Sequence, residues 1–169
     1  MTTTIRLPQA ADLVPLTDLY NHYIRETTIT FDLEPYSPEQ RQRQWLEHYA
    51  PAGPHRLWIA ERQGQVVGYA SSSALNRKAA YSTSVETSIY LAPDCHRQGI
   101  GKMLYEQLFA SLAAEDVHRA YAGITQPNLA SEAFHRSFGF EAVGRYGEVG
   151  RKFGRYWDVV WFEKALAHS

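Results

Sequence analysis

The chain has a single cysteine, Cys95, in 169 residues, which excludes an internal disulfide and a cysteine-rich zinc site. Charge is also scarce on balance: 17 basic against 18 acidic side chains leave −1, which gives no reason to expect a polyanionic partner such as nucleic acid, whose binders usually show a basic face or stripe. No apolar run approaches the length that spans a bilayer, and the N-terminus MTTTIRL lacks a basic segment followed by a long apolar core. No membrane partner is therefore expected, and the chain reads as cytoplasmic. Repeats, low-complexity tracts and linkers are absent too, so residues 1–169 read as a single domain, long enough for a sizeable core. The seven histidines stand at no spacing that argues for a metal, and none is expected.

What is present is an alternation of strand and helix patterns, which predicts an α/β fold with a mixed central sheet flanked by helices. Residues 4–7 read as a short strand, and Leu13, Leu16, Tyr20 and Ile24 stripe a helix over about 10–25. A second helix starts at Ser37, with Pro38 at its first position and Gln40 at capping-box spacing; Trp45, Leu46 and Tyr49 are its apolar side. Strands at 57–61 and 66–74 flank Gln63-Gly64-Gln65 as a hairpin. Beyond residue 118 the pattern gives a strand at 119–125, a short helix at 129–137 ended by Gly139, and strands near 141–149 and 157–164.

Residues 84–105 concentrate the chemistry. Val85 to Leu91 alternate as a strand, with Val85, Thr87, Ile89 and Leu91 on one face and Glu86, Ser88 and Tyr90 on the other. Pro93 and Asp94 end it, and after Gly99 and Gly101 the residues Ile100, Leu104, Leu108 and Leu112 stripe a core-facing helix. The first N–H groups of a helix lack intrahelical partners and carry the positive end of its dipole, so they can take an anion such as a pyrophosphate. Glycines there let a phosphate approach the backbone, with Arg97 and Lys102 adding charge; a plain tight turn is the alternative. A P-loop needs glycine where His96 stands and Ser or Thr where Met103 stands, and a dinucleotide fingerprint needs glycine at Leu104.

The loop His96-Arg97-Gln98-Gly99-Ile100-Gly101 resembles the [QR]-x-x-G-x-[GA] signature with which the GNAT superfamily binds the pyrophosphate of acetyl-CoA, His96 being a departure at the first position. The stretches 20–39, 85–105, 127–140 and 152–158 together resemble phosphinothricin N-acetyltransferases and the related methionine sulfoximine and methionine sulfone acetyltransferases. The resemblance implies a GNAT fold, acetyl-CoA as co-substrate, a small amino acid analogue as acceptor, and a homodimer. A GNAT enzyme acting on a protein, peptide or polyamine amine, or a non-catalytic acyl-CoA-binding module, are the alternatives.

Site residues follow from the same match. Glu86 matches the family's catalytic glutamate and is the expected base, because an amine reacts only after its ammonium proton leaves; from spacing alone it reads rather as a solvent-facing strand residue. Between Glu86 and Tyr90 the strand advances about 13 Å, room for a small substrate beside the phosphate loop. His135, on a short helix with Phe134 and Phe138, matches a family histidine that returns a proton to the thiolate of CoA, an imidazole of ordinary pKa about 6.5 being suited to that. The resemblance assigns the pantetheine arm to the backbone of Ile89, Tyr90 and Leu91, with a strand bulge exposing the Leu91 N–H to the thioester carbonyl. It assigns the pyrophosphate to Arg97, Gln98, Gly99, Ile100, Gly101 and Lys102, and a further CoA contact to Asn128, which reads otherwise as a helix cap. Phe31, Lys78, Tyr81 and Tyr90 match acceptor positions, Lys78 or Arg77 being able to hold an anion. Arg155 and Asp158 of KFGRYWD close the pocket or lie at a dimer contact. His22, His48, His55, His118 and His168 read as structural or surface residues, and Cys95 as incidental.

Overall fold

A computed structural model describes residues 1–166; His168 lies outside the described residues. Seven strands, β1 (Thr3–Arg6), β2 (Leu57–Arg62), β3 (Gln65–Ala74), β4 (Ser84–Leu91), β5 (Arg119–Thr125), β6 (Glu141–Lys152) and β7 (Arg155–Ala165), form one sheet in the order β1-β2-β3-β4-β5-β7-β6. Every pairing is antiparallel except β4 with β5. Helices α1 (Leu13–Glu26) and α2 (Pro38–Gln44) cover one face, while α3 (Ile100–Leu112) and α4 (Leu129–Ser137) lie on the other.

The stripe on α3 behaves as its spacing predicts. Ile100, Leu104, Leu108 and Leu112 are buried against Val85, Ala120, Ala122 and Phe162, each large aliphatic side chain adding about 1.5–3 kcal/mol relative to exposure. A smaller cluster of Leu16, Leu57, Ile59 and Tyr69 seats α1 on the opposite face. The α2 capping box forms as read: Ser37 Oγ accepts from Gln40 N at 3.2 Å, and Gln40 Oε1 accepts from Ser37 N at 2.9 Å. Helix α1 starts three residues later than its stripe suggests. A 3-10 turn at Ala10–Asp12 intervenes, where Asp12 accepts from Gln9 N and from both Arg6 Nη atoms. The β2–β3 turn needs two residues rather than three, Gln63 and Gly64 both having positive φ, which is the geometry that matches strand twist. Strands β6 and β7 are longer than their apolar alternation implies; Gly144, Gly147 and Gly150 interrupt that pattern, yet pairing with β7 carries β6 on to a turn at Phe153-Gly154.

The feature that makes room for a site is the parting of β4 from β5. Their register covers only Ser84, Val85 and Glu86 opposite Arg119, Ala120 and Tyr121, whereas β4 stays paired with β3 through Leu91. The β3–β4 register shows no bulge. A splay, not the expected bulge, is what frees the edge at Leu91.

Candidate active site

Ladder alternation fixes which backbone groups face the gap. Ala92 N donates to Val67 O on the β3 side, and Thr83 O accepts from His118 N on the β5 side. Counting in twos, the amides of Ile89 and Leu91 turn toward β5 where no strand pairs with them, and those of Ser88 and Tyr90 turn toward β3. Two unpaired N–H groups therefore line the opened edge, while the Tyr90 ring packs against Tyr20, Tyr23 and Tyr69. Tyr23 Oη donates to Leu91 O and lies 3.2 Å from His96 Nε2, so α1 holds both the end of β4 and the loop that follows.

That loop enters α3 through Arg97 (φ 61) and Gly99 (φ 79), both left-handed. The first helical bond runs from Met103 N to Gly99 O, so the N–H groups of Ile100, Gly101 and Lys102 precede the ladder. A side chain at Gly99 would meet open space, and its glycine serves the backbone conformation. Gly101 is buried, and a Cβ there would meet Phe134 and Ile89 at 3.4 to 3.5 Å, ordinary contact distances. Gln98 is tied to Arg62 Nη1 and Asp94 O, and Lys102 lies 3.7 Å from Glu106, both on the exposed surface. Arg97 is exposed, facing the solvent side of the turn. The donor set, a left-handed entry followed by free N–H groups with two cations nearby, fits a pyrophosphate.

A cleft of about 340 Å³ occupies the splay, lined among others by Phe31, Glu86, Ile89, Tyr90, Asn128 and His135. Six residues expected at the site thus meet in one cavity. Lys78 and Tyr81 do not line it; they belong to the exposed β3–β4 connection, in and beside a 3-10 turn at Ala79–Tyr81. Asn128 does cap α4, its Oδ1 accepting from Ser131 N at 3.1 Å, which leaves its amide NH₂ for the cleft. Thr30, Ser88, Thr125 and Trp161 also line the cavity and were not singled out by sequence; strand alternation from Glu86 to Ser88 was the available signal for one of them.

Electrostatics distinguish the two titratable groups. Burial pushes the Glu86 carboxyl above its ordinary value, and no hydrogen bond or ion pair to a described residue offsets that. His135 is buried, and burial lowers its pKa. Its Nδ1 lies 2.8 Å from the carbonyl of Ser131, which can only accept, so Nδ1 carries the proton and Nε2 of the neutral ring accepts from Tyr105 Oη at 2.9 Å. Tyr105, buried and with its pKa raised by burial, continues the chain to Thr87 Oγ1 at 3.3 Å. The arrangement can remove a proton at Glu86, hold an extended chain along the β4 edge, and stabilise an oxyanion with the Leu91 N–H.

A family model described as an acetyltransferase (GNAT) domain matches residues 5–161. The chain is 59% identical over 157 residues to a phosphinothricin N-acetyltransferase of Streptomyces coelicolor, spanning 92% of this chain and 91% of that protein. It is 32% identical to an L-methionine sulfoximine/L-methionine sulfone acetyltransferase of Pseudomonas paraeruginosa, over 98% of this chain and 96% of that one. Among solved structures, a GNAT superfamily phosphinothricin acetyltransferase from Sinorhizobium meliloti in complex with AcCoA superposes with a TM-score of 0.91 at 32% identity, over 99% of this chain and 90% of that chain. Its fold is the same mixed sheet flanked by helices.

Proposed function

The chain belongs to the GNAT acetyltransferase family and is an N-acetyltransferase, and from that premise we propose that it moves the acetyl group of acetyl-CoA to the α-amine of a small amino acid analogue of the phosphinothricin, methionine sulfoximine or methionine sulfone class. The observation that carries this reading is Glu86: a half-buried carboxyl with no hydrogen-bond or ion-pair partner among the described residues, in the same cleft as the unpaired edge of β4. Acetyl-CoA lies along that edge with its pyrophosphate at the N-terminus of α3, held by the N–H groups of the Gly99–Lys102 turn and by Arg97. Glu86 accepts the ammonium proton, the freed amine attacks the thioester carbon, and the Leu91 N–H steadies the oxyanion. The carbon–sulfur bond then breaks, and the thiolate takes up a proton by way of His135, which is neutral at rest and passes on the proton that Glu86 has accepted. The acceptor's side chain lies between Phe31 and Tyr90, with no covalent enzyme intermediate.

The working unit is a homodimer. Val143, Tyr146 and Val149 are exposed along the edge strand β6, an apolar row that an isolated sheet edge usually avoids. Steady-state assays with L-phosphinothricin, L-methionine sulfoximine and L-methionine sulfone, beside peptides and spermidine, test the acceptor class; turnover of peptides or spermidine alone would overturn it. Sedimentation velocity on the same protein tests the assembly, and a monomer at micromolar concentration removes the dimer.

A further inference from the structure

The segment KFGRYWD (152–158) and the glycine two residues before it have no part in the steps above. We infer that Gly150 and Lys152 are positioning residues for the acceptor: they seat Thr30 and Phe31 against the cleft and so fix where the acceptor's side chain lies. The inference rests on the reading that Phe31 faces the acceptor.

Thr30 and Phe31 lie in the connection between α1 and α2, which has no ladder of its own to hold it. Strand β6, some 120 residues further along the chain, supplies two contacts. The first is polar: Lys152 Nζ, buried to 4% exposure, donates to Thr30 O at 2.8 Å. No carboxylate lies at ion-pair distance from Lys152 among the described residues, although the charge of Asp32 raises its pKa against the burial that lowers it. An ammonium kept in that setting for one backbone carbonyl and the Phe153 ring, whose centroid is 5.3 Å away, is expensive unless the carbonyl's position matters. The second contact is steric. A Cβ on Gly150 would lie 2.2 Å from Phe31 Cε2 and 2.5 Å from Cδ2, so the ring occupies the space that any side chain at 150 would take. Gly150 has no positive φ, and its glycine is needed for the ring rather than for the backbone. From the α1 side, Tyr20 Oη lies 2.8 Å from Thr30 Oγ1, completing the clamp.

The rest of the segment holds Gly150 in place. The β6–β7 register slips between Tyr146 and Gly150, and Asp158 Oδ1 accepts from Glu148 N in that bulge at 2.6 Å while its other oxygen takes Arg145. Trp157 Nε1 donates to Lys152 O at 2.9 Å across the hairpin.

A double-mutant cycle with Gly150→Ala and Phe31→Ala, read with the acceptor that the wild-type enzyme turns over best, tests this. Gly150→Ala, which must displace the ring by more than 1 Å, is expected to raise acceptor KM by about 10-fold or more while KM for acetyl-CoA stays within about twofold. In the Phe31→Ala background the same substitution should change acceptor KM by less than about twofold, because the ring it collides with is gone. Lys152→Met should reproduce the acceptor-side split. An undiminished effect of Gly150→Ala without the Phe31 ring, or equal losses for both substrates, would overturn the inference. If the best acceptor proves to be a peptide or a polyamine, the proposed acceptor class falls while the cycle still decides the positioning role.

Discussion

At Glu86 the fold keeps a carboxyl partly out of water with no guanidinium or ammonium beside it, which favours the neutral acid. The sign of the consequences can be worked out. A raised folded-state pKa means that ionisation costs the folded state more than the unfolded one, so stability is lost as pH rises from the ordinary glutamate value of about 4.3 through the folded value. Glu86→Gln should therefore raise the melting temperature at pH 8 and leave it nearly unchanged at pH 4. Activity moves the other way. Wild-type kcat/KM should fall as pH drops through the raised pKa of Glu86, and Glu86→Gln should lose about 100-fold or more at neutral pH together with that acid limb. Acetyl-CoA affinity, measured by calorimetry, should be spared. A variant with full kcat removes Glu86 from the mechanism. Glu86 is singled out in the sequence by its match to the family motif, since strand alternation alone reads it as a solvent-facing residue. Lys152 and Gly150 are not, because their meaning lies in contacts with Thr30 and Phe31, made by chain folding and carried by no local spacing.

Elements were legible where their signals are local. Helix α2 is only seven residues long, too short to persist without support, and its start is written in Ser37, Pro38 and Gln40. Ser37→Ala removes one side of the reciprocal cap and is expected to cost about 1 kcal/mol in urea unfolding, lowering the melting temperature by about 2–4 °C. No change in either would show that packing of Arg41 alone holds α2, since that guanidinium is stacked 3.8 Å from the Tyr20 centroid and 3.9 Å from that of Trp45. Strands β6 and β7 were only partly legible, because glycines and the bulge held by Asp158 break the period-two pattern although pairing continues.

For the whole molecule, the decisive feature is a sheet that is continuous through β3–β4 and opens between β4 and β5. No pattern within residues 85–91 reveals which neighbour is missing, since a strand's sequence records how its faces are buried and not how its edges are paired. The order β3-β4-β5 and the three-residue β4–β5 register together turn one edge of β4 into a binding surface. Hydrogen exchange separates the two edges. In the free protein the amides of Ser88 and Tyr90, turned toward β3, should be protected, while those of Ile89 and Leu91 exchange faster because no strand covers them. Adding acetyl-CoA should slow Ile89 and Leu91 by about 10-fold or more at saturating ligand and leave Ser88 and Tyr90 little changed, since ligand binding suppresses opening only where its contacts are made. Desulfo-CoA lacks the thioester carbonyl but keeps most of the pantetheine arm, so it should protect Ile89 and protect Leu91 less. Equal protection of all four amides in the free protein would mean that the gap is closed in solution, and the edge of β4 could then not be the surface that receives the acyl donor.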